Sequence, residues 1–347
     1  MKADSSESLP PADPNRFEVG KATLWLDWVM TQVIRFGGVA VILAIFGIFF
    51  FLFKEVVPLF QSPDAKLEET HDLDQPEPWL LGVDEWGELP FLYAGGNELI
   101  FVEMATGKTR RVELEELAGK EVTAAAYDGN HQRIALGTAD GAIGSFIIDY
   151  QPVFVEEVRQ LEPKVEFEAW AQMEIGEGAV EQVAYGEGED ERVIVAVRES
   201  GAAAIRLTQE SNSLFGGGEL SVAGVSDLSE QITGEVVSIV ASQNGQDFLV
   251  GTRRGEVMYF QVDQGEVFLR QWFVAFEDEE LARMDFLFGS SSVSMLSRSG
   301  LQRIFGLHRQ EETDPLRFGL TKSFEPLAGG RAVFAPSLRN KSFVVGS

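Results

Sequence analysis

The sequence predicts an all-β fold, a β-propeller of five to six blades, preceded by one transmembrane α-helix. Three observations predict it. An uninterrupted apolar run lies near the N-terminus, a glycine-closed hairpin recurs along the rest of the chain, and little helical periodicity separates the recurrences.

The membrane element comes first. From Phe36 to Phe53 the chain reads FGGVAVILAIFGIFFFLF, 18 residues without a charge or a strongly polar group. At about 1.5 Å per residue such a helix spans roughly 27 Å, close to the ~30 Å hydrocarbon core of a bilayer. Arg35 and Lys54 bracket the run and can snorkel to the two interfaces, Trp25 and Trp28 suit the headgroup level, and Pro58 is a stop. A helix buried in a soluble core is rarely apolar on every face for this length. A cleaved signal peptide has a shorter apolar region and an A-x-A site, and it lacks a 35-residue polar leader, so the run reads as an uncleaved anchor. Arg16, Lys21 and Arg35 precede it against Lys54 and Lys66 beyond, a slight bias that leaves the N-terminus in the cytoplasm and exports the large domain.

The expected organisation follows. Residues 1–32 form a cytoplasmic tail with an interfacial segment, 33–57 the transmembrane helix, 58–78 an acidic linker and 79–347 the propeller. The tail's first 20 residues, with three prolines, and the stretch QSPDAKLEETHDLDQPEP read as disordered and extended.

Beyond Trp79 four segments share one grammar: RIALGTADGAIGSFII (133–148), RVIVAVRESGAAAIRLT (192–208), DFLVGTRRGEVMYFQV (247–262) and SSVSMLSRSGLQRIFGL (291–307). Each reads as a strand, a polar turn closed by glycine, and a second alternating strand, the glycine supplying the positive φ of a tight hairpin. The turn glycines Gly141, Gly201, Gly255 and Gly300 are 60, 54 and 45 residues apart, and the shorter hairpin PFLYAGGNELIFVEM puts Gly96 another 45 upstream. A hairpin at this period marks propeller blades, each a four-stranded sheet packed face to face with its neighbours. A generic β-sandwich needs no such period. The stretches EVVSIVAS (235–242) and KEVTAAAYD (120–128) are expected as innermost strands. The final KSFVVGS matches DFLVGTRRG up to its turn, so the chain is expected to be the N-terminal part of a longer protein.

Charge and composition narrow the function. The chain carries −27; residues 1–53 hold four basic and five acidic side chains, a net of −1, leaving −26 for the remainder. So acidic a body has no basic stripe for a nucleic-acid backbone and repels small anions. The absence of cysteine excludes disulfides, thiolate nucleophiles and thiolate-bound metals. His71, His131 and His308 lack ligand spacing, with His131 expected exposed in the turn YDGNHQ. The clusters EGEDE (187–191) and EDEE (277–280) lack the alternating spacing and turn glycine of a calcium loop and read as solvated acidic loops. Gly216–Gly217–Gly218 has no following helix start and reads as a loop, not a phosphate cradle. The 26 phenylalanines fall mostly at alternating strand positions or in the helix, where blade core and lipid explain them. No catalytic residue, cofactor or metal is expected, and the chain reads as a non-enzyme.

The segment IRFGGVAVILAIFGIFFFLFKEVVPLF (34–60), with GG at 37–38, the I-F-G-I-F core and the VVPLF exit, resembles the start of long-form proteobacterial ABC transporter permeases similar to the phosphate-import permease subunit. The resemblance implies an inner-membrane location and a WD40-like periplasmic domain inserted after the first transmembrane helix. It also implies a permease module C-terminal to that domain, docking on an ATPase alongside a partner permease and a solute-binding protein. No second membrane helix, ATPase-docking loop or permeation path occurs in these 347 residues, so this chain alone could not transport a solute. A single-pass membrane-anchored propeller that organises envelope protein complexes is the alternative, and a quinone-dependent dehydrogenase a weaker one for which no cofactor site is present.

Overall fold

The computed structural model describes residues 20–57, 70, 78–155, 158–188, 191–209, 220–287, 289–309, 314–325, 333–336 and 343–346. The chain divides into two compact units, Met1–Thr70 and His71–Ser347. The tail before residue 20, Pro58, most of the linker and the glycine run 216–218 lie outside the described residues.

In the first unit, α1 (Lys21–Val56) is one helix of 36 residues, about 54 Å at 1.5 Å per residue. It starts twelve residues before the expected boundary at 33, because the intervening KATLWLDWVMTQ contains neither proline nor glycine to stop it. Trp25 and Trp28 therefore lie on the same continuous helix as the apolar run. The helix is long and apolar enough to cross a membrane, and none of it is buried in protein. Phe36 and Phe53 are 73% and 68% exposed, so no contact within the unit satisfies their apolar surface.

The second unit is a meander of antiparallel sheets. The first sheet is β1 (Leu80–Gly82), β2 (Phe91–Tyr93), β3 (Glu98–Val102) and β4 (Thr109–Glu113). The second is β5 (Val122–Asp128), β6 (Arg133–Thr138), β7 (Ala142–Val155) and β8 (Val158–Gln172). The third is β9 (Val180–Glu187), β10 (Glu191–Arg198), β11 (Gly201–Gln209) and β12 (Leu220–Asp227). The fourth is β13 (Val236–Ala241), β14 (Asp247–Thr252), β15 (Glu256–Asp263) and β16 (Glu266–Val274). The fifth is β17 (Leu281–Leu287), β18 (Ser292–Ser297), β19 (Gln302–His308) and β20 (Arg317–Phe324), and β21 (Val333–Pro336) pairs with β22 (Phe343–Gly346).

The first strands follow one another: β1 meets β5, β5 meets β9, β9 meets β13, β13 meets β17, and β17 meets β21. Among the described residues, five four-stranded blades and a two-stranded sixth sheet therefore stand around one axis, the propeller arrangement that the hairpin period predicts. The recurring hairpins are the second and third strands of their blades, and EVVSIVAS and KEVTAAAYD contain the axial strands β13 and β5.

Blade-on-blade packing explains the apolar runs. A second strand sits inside its blade with a neighbouring blade on each face, so both sets of its alternating side chains need apolar partners. Accordingly every residue of β6 is buried, whereas the outermost β4 is almost wholly exposed. Aromatic pairs bridge blades: the Phe91 ring meets Tyr127 edge-on at 4.9 Å, and Tyr259 meets Phe318 edge-on at 5.0 Å.

Gly96, Gly141, Gly255 and Gly300 have φ of 86°, 80°, 80° and 93°, the left-handed region a side chain disfavours. Gly201 differs. It pairs with Arg198 across a two-residue turn and has no positive φ; a Cβ there would come within 2.7 Å of Gly176 Cα, so close approach of backbone demands the glycine.

Candidate functional site

The ends of the six axial strands surround a mixed polar and apolar hollow of about 720 Å³. Each axial strand contributes to its wall: Gly82 from β1, Tyr127 from β5, Tyr185 from β9, Ala241 from β13, Asp285 from β17 and Pro336 from β21. Its polar groups are carried by strand ends and the turns after them, where register no longer dictates an apolar side chain.

Asp285 is the group most altered by its surroundings. Its side chain is 29% exposed and lies 3.7 Å from the Arg283 guanidinium. Burial pushes its carboxyl up to about 6, against the opposing pull of Arg283 and of the Phe286 backbone N–H. It thus exchanges a proton near neutral pH while facing the cavity. Across the hollow, the Tyr127 hydroxyl donates to Gln132 Oε1 at 2.7 Å, and burial raises the phenol well above its ordinary value.

Tyr185 couples the cavity wall to an ion network between blades 2 and 3. Its hydroxyl donates to Glu187 Oε2 at 2.9 Å. Glu187 also accepts from Arg133 Nε at 2.7 Å and lies 3.2 Å from Arg192 Nε. Glu168 completes the ring, 2.8 Å from Arg192 and 3.2 Å from Arg133. These four charged side chains are only 9–14% exposed, so water screens them little. Burial pushes the Glu187 carboxyl up, but the hydrogen bond and charge of Arg133, the charge of Arg192 and the Tyr185 hydroxyl outweigh it and hold it below the ordinary range.

This corrects the reading of residues 187–191 as a solvated loop: Glu187 is a buried structural anion, and Glu191 pairs with Arg206 at 3.0 Å. Glu189 and Asp190 lie outside the described residues. The sequence carried a signal for the network, since Arg133 and Arg192 occupy the same place just before the apolar core of two successive repeats. His131 is 33% exposed and half-buried, its Nδ1 2.6 Å from Asp128 Oδ2. Nothing in the pattern ARMDFLF marks Asp285, whose environment comes from strands distant in sequence. The helix-end residues Arg35, Phe36, Phe53 and Lys54 all fall within α1, and the turn glycines lie on hairpins away from the cavity.

No protein-family model matches the chain, and no curated protein matches it. Among solved structures, one similar chain is the β-propeller domain of Myceliophteria thermophila Cps50 (Swd1), at a TM-score of 0.49 and 9% identity over 77% of this chain and 79% of that one.

Proposed function

We propose that this chain is the N-terminal, membrane-anchored portion of an inner-membrane ABC transporter permease for phosphate import. Its propeller is a non-catalytic periplasmic domain that engages partner proteins, the solute-binding protein among them. The observation that carries the reading is the joining, in one chain, of a bilayer-length apolar helix to a propeller. The resemblance of residues 34–60 to the first helix of such permeases supports the transport assignment. The cavity at the axial strand ends supports a binding role, because it gathers groups from every blade at the place where a propeller presents its loops.

Crosslinking in membranes of the source cell followed by mass spectrometry tests this. Recovery of an ABC ATPase and a solute-binding protein supports it; recovery of envelope proteins without any transport component replaces it with a single-pass scaffold. Phosphate itself is not the propeller's ligand in this reading, because a body carrying −26 raises the cost of holding an anion. Calorimetric titration of phosphate into the chain is expected to give no heat of binding, and micromolar affinity would sink that part of the proposal.

A further inference from the structure

A second hollow of about 520 Å³ lies between blades 1 and 2, lined by Trp86, Asn130, His131, Asp149 and Tyr150. From its construction we propose that this groove binds an uncharged oligosaccharide, stacking one pyranose on the Trp86 indole and bonding its hydroxyls to the polar wall. The proposal goes beyond the transport reading and stands whether or not that reading holds.

The indole is presented by a built loop. Asp84, fully buried, accepts from the backbone N–H groups of Trp86 at 3.0 Å and Leu89 at 2.7 Å, which fixes the segment between β1 and β2. The Arg159 guanidinium lies 4.8 Å from the Trp86 ring and is itself held by Glu88 at 2.9 and 2.8 Å. Trp86 nevertheless stays 57% exposed, an indole oriented by the protein and open to solvent. A flat apolar surface at the rim of a polar groove suits a pyranose, whose C–H groups make one apolar face while its hydroxyls radiate in the ring plane.

The wall supplies what those hydroxyls need. Asp128 accepts from the Asn130 backbone N–H at 3.0 Å and holds His131 Nδ1 at 2.6 Å, so the turn is fixed and His131 Nε2 remains for a ligand. The Asn130 amide, with two donors and an acceptor, has no partner among the described residues. The Tyr150 side chain borders the groove and packs on the core between the two blades. Gln151 engages one oxygen of Asp149 at 2.8 Å and leaves the other. Carboxylates at the wall and the −26 of the remainder exclude acidic sugars and phosphorylated ligands, which selects the neutral class.

The test uses the full chain in a zwitterionic detergent without a sugar headgroup, with tryptophan fluorescence and calorimetry against N-acetylglucosamine tetramer and maltotetraose. One of the two is expected to bind and shift the emission. Trp86→Ala is expected to weaken that binding at least about tenfold, the scale of a lost aromatic anchor. Asn130→Ala removes only an amide that has no partner among the described residues, so its melting temperature should match the native chain while affinity drops roughly threefold to tenfold. Absence of binding by both tetrasaccharides at about 10 mM, the weak end of measurable affinity, overturns the proposal. Native affinity in Asn130→Ala overturns it equally.

Discussion

Glu187→Gln isolates one charge in the network between blades 2 and 3. The native ring holds two arginines against two glutamates, with Glu187 shared by Arg133, Arg192 and Tyr185. The amide keeps the shape and an acceptor for Tyr185, yet it leaves two guanidinium groups facing only Glu168. Removing one partner from a buried ion set costs about 3–5 kcal/mol, because the remaining charge keeps its desolvation penalty without its counterion. For a domain of this size that is a fall of roughly 6–15 °C in melting temperature. Adding Arg133→Met restores neutrality and leaves the Arg192–Glu168 pair intact, so the double variant should recover about 1–3 kcal/mol relative to additivity. The pH dependence carries a sign. Glu187 titrates below its ordinary range in the folded chain, so its stabilisation is present above about pH 4.3 and is lost as pH falls through the folded value. Protonated Glu187 then resembles the amide, and the gap between native and variant chains should close in acid. Melts of the full chain followed by tryptophan fluorescence read this out. Equal destabilisation at neutral and acid pH, or strict additivity in the double variant, would refute the buried-network account.

Asp285→Asn removes a carboxyl whose folded value is raised to about 6; the native cost is absent below about pH 4, grows between about pH 4 and 6 and is level above that, so this variant's advantage in melting temperature over the native chain should open across that window and persist above it. Gly251→Val should destabilise by about 1–3 kcal/mol or more in a denaturant titration, because even a Cβ would lie 2.4 Å from Leu281 Cδ2 and 2.8 Å from Met284 Cε in the neighbouring blade. Ile45→Arg puts a charge at the centre of the apolar run and should cost about 2.5–3.5 kcal/mol of insertion, read as release of the chain by alkaline carbonate extraction.

The architecture was legible because propeller blades write the same constraints repeatedly. A strand with a blade on each face must be apolar on both sides, which is why IALG and FLVG stand out. The glycine in each of those runs answers to a neighbour: a Cβ on Gly137 would lie 2.3 Å from Val180 Cγ1, and one on Gly251 meets Leu281 in the same way. The helix was legible for a similar reason, since lipid imposes one chemistry on every face. The site was not. Asp285 acquires its environment from axial strands of six different sheets, a convergence with no local sequence period. Glu187 sits in an acidic run whose neighbours disguise it, and only the position of Arg133, 54 residues earlier, distinguishes a buried anion from a solvated one. Gly201 marks the limit of motif reasoning: it aligns with the turn glycines but is required by Gly176 rather than by its own φ.

Blade 1 shows how the fold and the proposed groove depend on each other. Its strands are three to five residues long, against 14 and 15 for β7 and β8 of blade 2. The excess length of that hairpin packs on blade 1: Tyr150 meets the Phe101 ring edge-on at 6.1 Å, Glu162 pairs with Arg110 at 2.9 Å, and Leu161 and Val165 join the core between the two blades. Surface ion pairs of this kind contribute little by themselves, so the apolar contacts carry the clasp. The same hairpin supplies Arg159, which orients Trp86, and Tyr150, which borders the groove. Phe154, near the hairpin's end, remains 73% exposed. Shortening β7 and β8 to the length found in the other blades would therefore both expose the core of blade 1 and remove one side of the groove. A clasp needed for stability alone would be served by Leu161 and Val165. The Arg159 cation, held by Glu88 beside the Trp86 ring, is the part of the hairpin that core packing does not explain.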